Sequence, residues 1–326
     1  MKPVFMRYTK NDIINFIVLL VLGFLVIPNV IKSDYWYTSI LIPWLCLTIA
    51  ALGQNIVMGY TGQLSLGAAG FMCAGAYACY NMMLRIAGLG IIFGLPSLRI
   101  RGIYLMVATL ASQFFIVWVI DKFGWFKNYD VSGSTTFQKI DINGVPFHSG
   151  YMMYLLVAII VVIITILAIN MARGSTGRNW MAVRDMDIAA ESMGVSLLKT
   201  KLQAFAINAF LCGIAGALYT YTYLKTVEPF AAFNISLSFK IMFMAIIGGL
   251  GTISGAFIGA AFILLFPVVL NAIGNNLFHG MIDATIISSI EQIVFGGLII
   301  TLMIFEPLGF AKLWETLKQK VTKTKS

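Results

Sequence analysis

Residues 151–194 read YMMYLLVAIIVVIITILAINMARGSTGRNWMAVRDMDIAAESMG. The first half, Tyr151–Met171, is an apolar run with no Asp, Glu, Lys, Arg or His. A helix needs about 20 such residues to cross a bilayer. The second half, Gly177–Gly194, is charged: Arg178, Arg184, Asp185, Asp187 and Glu191 share it with Met181 and Ile188. The seven-residue spacing of Met181, Ile188 and Val195 predicts one apolar stripe on a short two-faced helix. A membrane span that opens directly onto a charged amphipathic helix, with another apolar segment beyond it, decides the fold class. The chain is expected to be all-α, a polytopic integral membrane helical bundle.

The rest of the chain agrees. Of its 326 residues, 60% are hydrophobic and only 11% charged, and the mean hydropathy is +0.90. Soluble domains carry roughly 25% charged residues, so too little polar surface is left to cover a water-soluble globule. The runs are continuous, unlike the short alternating strands of a membrane β-barrel. Ten candidate segments emerge, at about 13–31, 36–52, 62–84, 86–98, 102–120, 151–171, 203–224, 237–250, 253–273 and 290–305. Short segments beside glycine-rich turns read as half-helices, which gives about 8–10 spans.

Loop charge sets the expected orientation. With the N-terminus inside, fifteen of the 22 Lys and Arg residues fall in cytoplasmic segments. Both termini are then expected to be cytoplasmic, in a multi-pass membrane protein. The run 13–27 is long and no small-residue cleavage pattern follows it, so it reads as a retained membrane helix rather than a signal peptide. The expected organisation is a cytoplasmic arm at 1–12, a transmembrane domain at 13–306 and a basic cytoplasmic tail at 307–326. Within the domain lie an external loop at 121–150 and a cytoplasmic loop at 172–201. The net charge of +9 collects in cytoplasmic loops and tail, so it argues for anionic membrane lipid, at about 1 kcal/mol per basic residue, and not for nucleic acid. Cys46, Cys73, Cys79 and Cys212 all lie in apolar runs and form no C-x-x-C pair, which gives no metal or redox site.

Two glycine-rich stretches stand beside the charged loop. One is Gly59-Tyr60-Thr61-Gly62-Gln63-Leu64-Ser65-Leu66-Gly67, leading to Gly70 and Gly75. Glycine weakens a helix by roughly 1 kcal/mol relative to Ala, and broken membrane helices survive where protein buries them or they line a watery cavity. Tyr60, Thr61, Gln63 and Ser65 are therefore candidates to line a translocation path. The alternative is close helix packing through Gly62, Gly67 and their neighbours without substrate contact. The other stretch is Gly248-Gly249-Leu250-Gly251-Thr-Ile-Ser-Gly255-Ala-Phe-Ile-Gly259. Gly251, Gly255 and Gly259 at four-residue spacing predict a close-packing helix face, with Gly248 and Gly249 as a bend or hinge. For the charged loop, the alternative to a partner-docking helix is a solvated connector.

No ionisable side chain falls near the middle of a predicted span, and no G-K-[ST] phosphate loop or H-E-x-x-H is present. This leaves no catalytic set and no metal site, and no sign of ATP binding by the chain itself. A stand-alone secondary transporter or channel, with sodium held by backbone oxygens, stays open as an alternative.

These motifs, taken in order, resemble the permease subunits of branched-chain amino-acid ABC importers of the LivM type. The likeness rests on Gly59–Gly67 continuing to Gly75-Ala-Tyr77, and on Arg101-Gly-Ile-Tyr104-Leu. It rests further on Gly177-Arg178 through Arg184 and Asp187-Ile-Ala-Ala-Glu-Ser-Met-Gly194, and on Gly248-Gly249-Leu-Gly251 with Gly255 and Gly259. It spans about residues 45–310. The resemblance implies that the loop is the coupling helix received by an ATPase groove. Ala190, Glu191 and Gly194 would lie on that element, with Gly177, Arg178, Arg184 and Asp187 just before it. It also implies a heterodimer with a second permease subunit, two ATP-binding subunits that hold ATP and Mg, and an extracytoplasmic solute-binding protein. This chain would bind no cofactor and be no enzyme. Ala68, the stretch Val131–Phe137 and Glu306-Pro307 depart from the family pattern, and urea or short amides stand beside branched-chain amino acids as substrates.

Overall fold

The computed structural model describes residues 34–85, 103–130, 134–137, 141–142, 145–146, 149–278, 293–294 and 296–297. The candidate spans at 13–31 and 86–98 and most of the one at 290–305 lie outside the described residues. So do the arm 1–12, the tail 307–326 and both histidines, His148 and His279.

Helix α1 runs Asp34–Tyr60, α2 Ala68–Arg85 and α3 Ile103–Lys122. Two-residue strands β1 (Thr135–Thr136), β2 (Asp141–Ile142) and β3 (Val145–Pro146) follow. Then come α4 (Gly150–Arg173), α5 (Ser175–Asp185), α6 (Asp187–Ser192) and α7 (Leu197–Leu224). Strand β4 (Thr226–Val227), the one-turn α8 (Pro229–Ala232), α9 (Ile235–Gly248) and α10 (Ile253–Phe278) complete the described order. Among the described residues, five stretches are long and apolar enough to cross a membrane: α1, α4, α7, Pro229–Gly248 and Ile253–Leu270 of α10. The protein is an all-α, multi-pass membrane bundle. At 1.5 Å per residue the 24 residues of α4 extend about 36 Å, more than the hydrocarbon core requires.

Helix α1 is the centre. In its best membrane window 94% of residues are buried, against 28–44% for the other four stretches. Leu45–Tyr60 is buried without exception. The sequence reading ended this span at residue 52, before Gly53-Gln54-Asn55. The helix instead continues to Tyr60, closing with a π-helical turn over Ile56–Tyr60. Gln54 and Asn55 do not end it because both amides are used inside the bundle. Gln54 Nε2 donates to the Ser65 carbonyl at 2.5 Å, and Asn55 Nδ2 to the Thr252 carbonyl at 2.6 Å.

Glycine lets the helices touch backbone to backbone. A Cβ at Gly75 would collide with the Gly213 carbonyl, and one at Gly216 with the Met72 carbonyl, so α2 and α7 have no side chain between them at this seam. Helices α9 and α10 close in the same way, Gly255 on the Gly248 backbone and Gly259 on Met244. Close approach of this kind is what small residues bring to membrane helices, which gain little hydrophobic driving force against lipid tails. Gly251 does not belong to that face: it sits in the turn before α10, at φ +79°, next to Gly249 at φ +119°. The four-residue spacing therefore describes a helix face only from Gly255 to Gly259.

Two further boundaries move. The span read at 62–84 begins at Ala68, because residues 62–67 are not helical. Helix α7 begins at Leu197, six residues before the predicted 203, and Lys199 and Lys201 ride its first turns. Helix α9 starts where Asn234 caps it, its Oδ1 accepting from Leu237 N at 3.0 Å.

The connections sort onto two ends. At one, β1 pairs antiparallel with β4 (Thr135 opposite Val227), and the Tyr77 hydroxyl donates to the Val227 carbonyl at 3.3 Å. This ties part of the 121–150 loop to the 225–228 connection. At the other end the residues after α1, the α5–α6 loop and the α9–α10 turn meet.

Candidate functional site

The charged loop is not one helix. Helix α5 ends at Asp185, Met186 is extended (φ −154°, ψ 97°), and α6 starts at Asp187. Met181 and Ile188 therefore do not share the predicted stripe: Met181 packs against the core and Ile188 is 82% exposed.

Helix α5 faces inward. Gly177, Trp180 and Val183, three residues apart, are its buried positions, and Trp180 is 0% exposed. A Cβ on Gly177 would collide with the Ala172 carbonyl, so α5 folds tightly back on the end of α4. Arg178 is exposed and its Nη1 donates to the Arg173 carbonyl at 3.4 Å. At the far end of α5 the Arg184 Nη1 donates to the Gly59 carbonyl at 2.8 Å, across 125 positions of sequence. Its Nε and Nη2 hold Asp185 Oδ1 at 3.0 and 2.9 Å. The last carbonyls of a helix lack internal partners and carry its negative pole. A guanidinium there caps α1 from outside.

Helix α6 faces outward. Asp187 and Glu191 are exposed, and only Ala190 is buried. Met186 and Met193, flanking it, are 71% and 72% exposed. The helix stops at Gly194 for a backbone reason. Val195 N donates to the Ala190 carbonyl and Gly194 N to the Glu191 carbonyl, both at 3.0 Å, with Gly194 at φ +84°. This crossed pair is the glycine stop that satisfies a helix's orphan carbonyls. Nothing lies within 4 Å of a Cβ at 194, so φ, not space, selects glycine.

The stretch 59–67 lies beneath this loop. Gly62, at φ +68°, is exposed, and a Cβ there would stand 3.1 Å from Arg184 Cγ. Tyr60 is buried, and the Thr61 hydroxyl is committed to the Val57 carbonyl at 2.6 Å. Gln63 N donates to the same carbonyl at 3.0 Å, while Gln63 Oε1 is buried without a partner among the described residues. Ser65 is 0% exposed and its Oγ is likewise unpartnered, as is Gln54 Oε1. From there the chain enters α2 through borrowed hydroxyls. Leu66 N donates to Thr109 Oγ1 at 3.1 Å and Ala69 N to Ser238 Oγ at 2.9 Å; Ser238 Oγ donates in turn to Gln113 Oε1 at 2.6 Å. Gly67 packs against the Thr109 carbonyl.

The structure thus brings Arg184, Gly59, Gly62 and Gly251 together at one joint, with Gly248 and Gly249 just behind it. Asp187, Ala190, Glu191 and Gly194 stand off it on α6. Gln54, Asn55, Thr109, Gln113 and Ser238 were not singled out in the sequence. The available signal was a polar side chain at a buried position inside an apolar run.

A central buried helix, outer helices with more exposed apolar faces and a projecting two-part loop at one end define a multi-pass membrane protein. The chain belongs to the family described as "Branched-chain amino acid transport system / permease component", which matches residues 37–303. It is 28% identical over 303 residues to the high-affinity branched-chain amino acid transport system permease protein LivM of Escherichia coli K12, covering 80% of this chain and 66% of that protein. The Salmonella typhimurium LivM gives the same figures, so the chain spans just under two thirds of the length of these two relatives. It is 27% identical over 270 residues to the probable branched-chain amino acid transport permease protein LivH of Methanocaldococcus jannaschii, covering 74% and 84% of the two chains. It is 25% identical over 253 residues to the autoinducer 2 import system permease protein LsrC of Enterobacter sp. 638, covering 69% and 68%. No solved structure matches.

Proposed function

We propose that this chain is the membrane-spanning subunit of an ATP-binding-cassette importer that moves branched-chain or related amino acids across a bacterial inner membrane. It pairs with a second permease subunit. Two partner ATP-binding subunits hold and hydrolyse ATP with Mg, and an extracytoplasmic solute-binding protein delivers the substrate. Its own residues perform no covalent chemistry.

The observation that carries this reading is the split loop. Three large apolar side chains, Met186, Ile188 and Met193, stand in water on a segment whose other half is locked into the bundle. A short helix carrying and flanked by exposed apolar side chains is suited to a groove in a partner, and the family membership supports an ATPase as that partner. The end bearing α5 and α6 is then cytoplasmic, as are both termini. Helix α6 seats in the ATPase, and α5 carries its displacement to α1. Substrate passes between the paired permeases. Gln63 and Ser65 are the best-supported path residues of the 60–65 stretch, because each has a buried oxygen without a partner among the described residues.

The test is uptake of radiolabelled leucine into proteoliposomes, with and without the ATPase, the second permease and the binding protein. Uptake only with the full set and ATP supports the importer. Uptake by this chain alone points to a stand-alone transporter and overturns the reading. ATP hydrolysis by an assembled complex without leucine uptake keeps the permease role and moves the substrate. Urea, short amides and the autoinducer 2 recorded in the name of one relative come next.

A further inference from the structure

We propose that Arg184 is a positioning residue that transmits the movement of the charged loop into two parts of the bundle at once. This inference rests on the importer reading above and names the contact through which that reading works.

Arg184 Nη1 donates to the Gly59 carbonyl at 2.8 Å, within the π-helical turn that ends the central helix. Helical turns of this type have displaced carbonyls and recur at functional sites. Four residues earlier on the same helix, the Asn55 amide grips the α9–α10 turn at two points. Its Oδ1 accepts from Gly251 N and its Nδ2 donates to the Thr252 carbonyl, each at 2.6 Å. Asn55 is 2% exposed, so neither bond has water to replace it. The path is therefore contiguous: α5, Arg184, the end of α1, Asn55, the 251–252 turn.

The seat is built from glycine. A Cβ on Gly59 would collide with Gly251 N and Asn55 Oδ1, one on Gly62 would stand 3.1 Å from Arg184 Cγ, and one on Gly251 3.7 Å from Arg184 Nη1. Gly62 and Gly251 also hold φ of +68° and +79°, a conformation other residues rarely adopt. Asp185 fixes the rest of the guanidinium and leaves Nη1 for the carbonyl. Arg184 is not needed to hold α5 in place, because Trp180, Val183 and Gly177 already do so. It is also a poor anchor for stability, since its side chain is 32% exposed and Asp185 65%; exposed ion pairs contribute little. Its geometry suits alignment.

The experiment reconstitutes the full complex with Arg184→Gln, Arg184→Lys and Asp185→Asn, and measures ATP hydrolysed per radiolabelled leucine taken up, alongside co-purification of the ATPase. Arg184→Gln is expected to keep co-purification and hydrolysis within about twofold while uptake falls about tenfold, so that the ratio rises about tenfold, within the usual range of a coupling effect. Arg184→Lys, which keeps one charged donor, recovers part of the uptake. Asp185→Asn changes only an exposed side chain and is expected to raise the ratio about threefold by the same mechanism. It keeps the test open even if Arg184→Gln fails to assemble. An unchanged ratio in the assembled variants overturns the proposal, as does a fall in hydrolysis and uptake together, which marks a merely structural residue. If the unmodified complex hydrolyses ATP without leucine uptake, the ratio is read with the substrate it does import; if it imports none of those tested, the importer reading fails and the role of Arg184 falls with it. A working unmodified complex with coupled variants overturns the role of Arg184 alone.

Discussion

Helices α5 and α6 are neighbours in sequence, separated by Met186 alone, yet they belong to different environments. Helix α5 presents Gly177, Trp180 and Val183 to the bundle, while α6 buries only Ala190. Local sequence does not foretell this division, since both halves mix charged and apolar residues in similar measure. The difference lies in what each half can reach. Helix α5 folds back on α4 through Gly177 and finds the open end of α1 within reach of Arg184; α6 starts after the backbone has turned away. A loop can thus be half foundation and half handle, and the two halves should fail in different ways when altered.

The largest effect is expected at Trp180. Trp180→Ala removes a fully buried indole and should cost about 3–5 kcal/mol of stability, read as a lowered unfolding midpoint of the purified chain in detergent. A loss below about 1 kcal/mol would place α5 with α6 as a surface feature. Next come the exposed anchors. Ile188→Asp and Glu191→Lys should each leave that midpoint within experimental error yet weaken co-purification of the ATPase at least about tenfold, as expected for interface anchors. Destabilised chains, or undiminished association, would erase the distinction between the halves. Gly194→Ala is intermediate. It forces alanine to φ +84° and should cost about 1–2 kcal/mol locally, seen as faster amide exchange in 187–195 with α5 unchanged. The smallest change is expected at Arg178→Ala, which loses only an exposed 3.4 Å bond to the Arg173 carbonyl. Stability should shift by no more than about 0.5 kcal/mol; unchanged ATPase association would take Arg178 out of the coupling set that the resemblance implies, and a weakened association would keep it there.

Much of the architecture is legible in the amino-acid order. The runs around 36–52, 151–171, 203–224 and 253–273 each contain a helix, because a long uncharged stretch has few other solutions in a bilayer. The interruption at 62–67 follows from its glycines. What stayed hidden are features settled by distant partners. Gln54 and Asn55 look like the end of a helix until the Ser65 carbonyl and the 251–252 turn arrive to bind them. The break at Met186 has no Gly or Pro to announce it; it follows from the pinning of Trp180 and Arg184 on one side. The joint itself joins residues 59, 184 and 251, and no periodicity within one segment can bring those together. The glycine row 251–255–259 misled in the opposite sense, since equal spacing in sequence continued across a turn.

The seam between α2 and α7 has a consequence for movement. Where Gly75, Gly213 and Gly216 set one backbone against another, there are no rotamers to exchange and no flexible ends to yield. Interfaces cushioned by side chains can slip between alternative packings, and protein interiors switch in such discrete steps. A backbone-to-backbone seam has no second packing within easy reach. The two helices therefore travel as a single plank, and any opening or closing of a passage must happen along its edges, never through its grain.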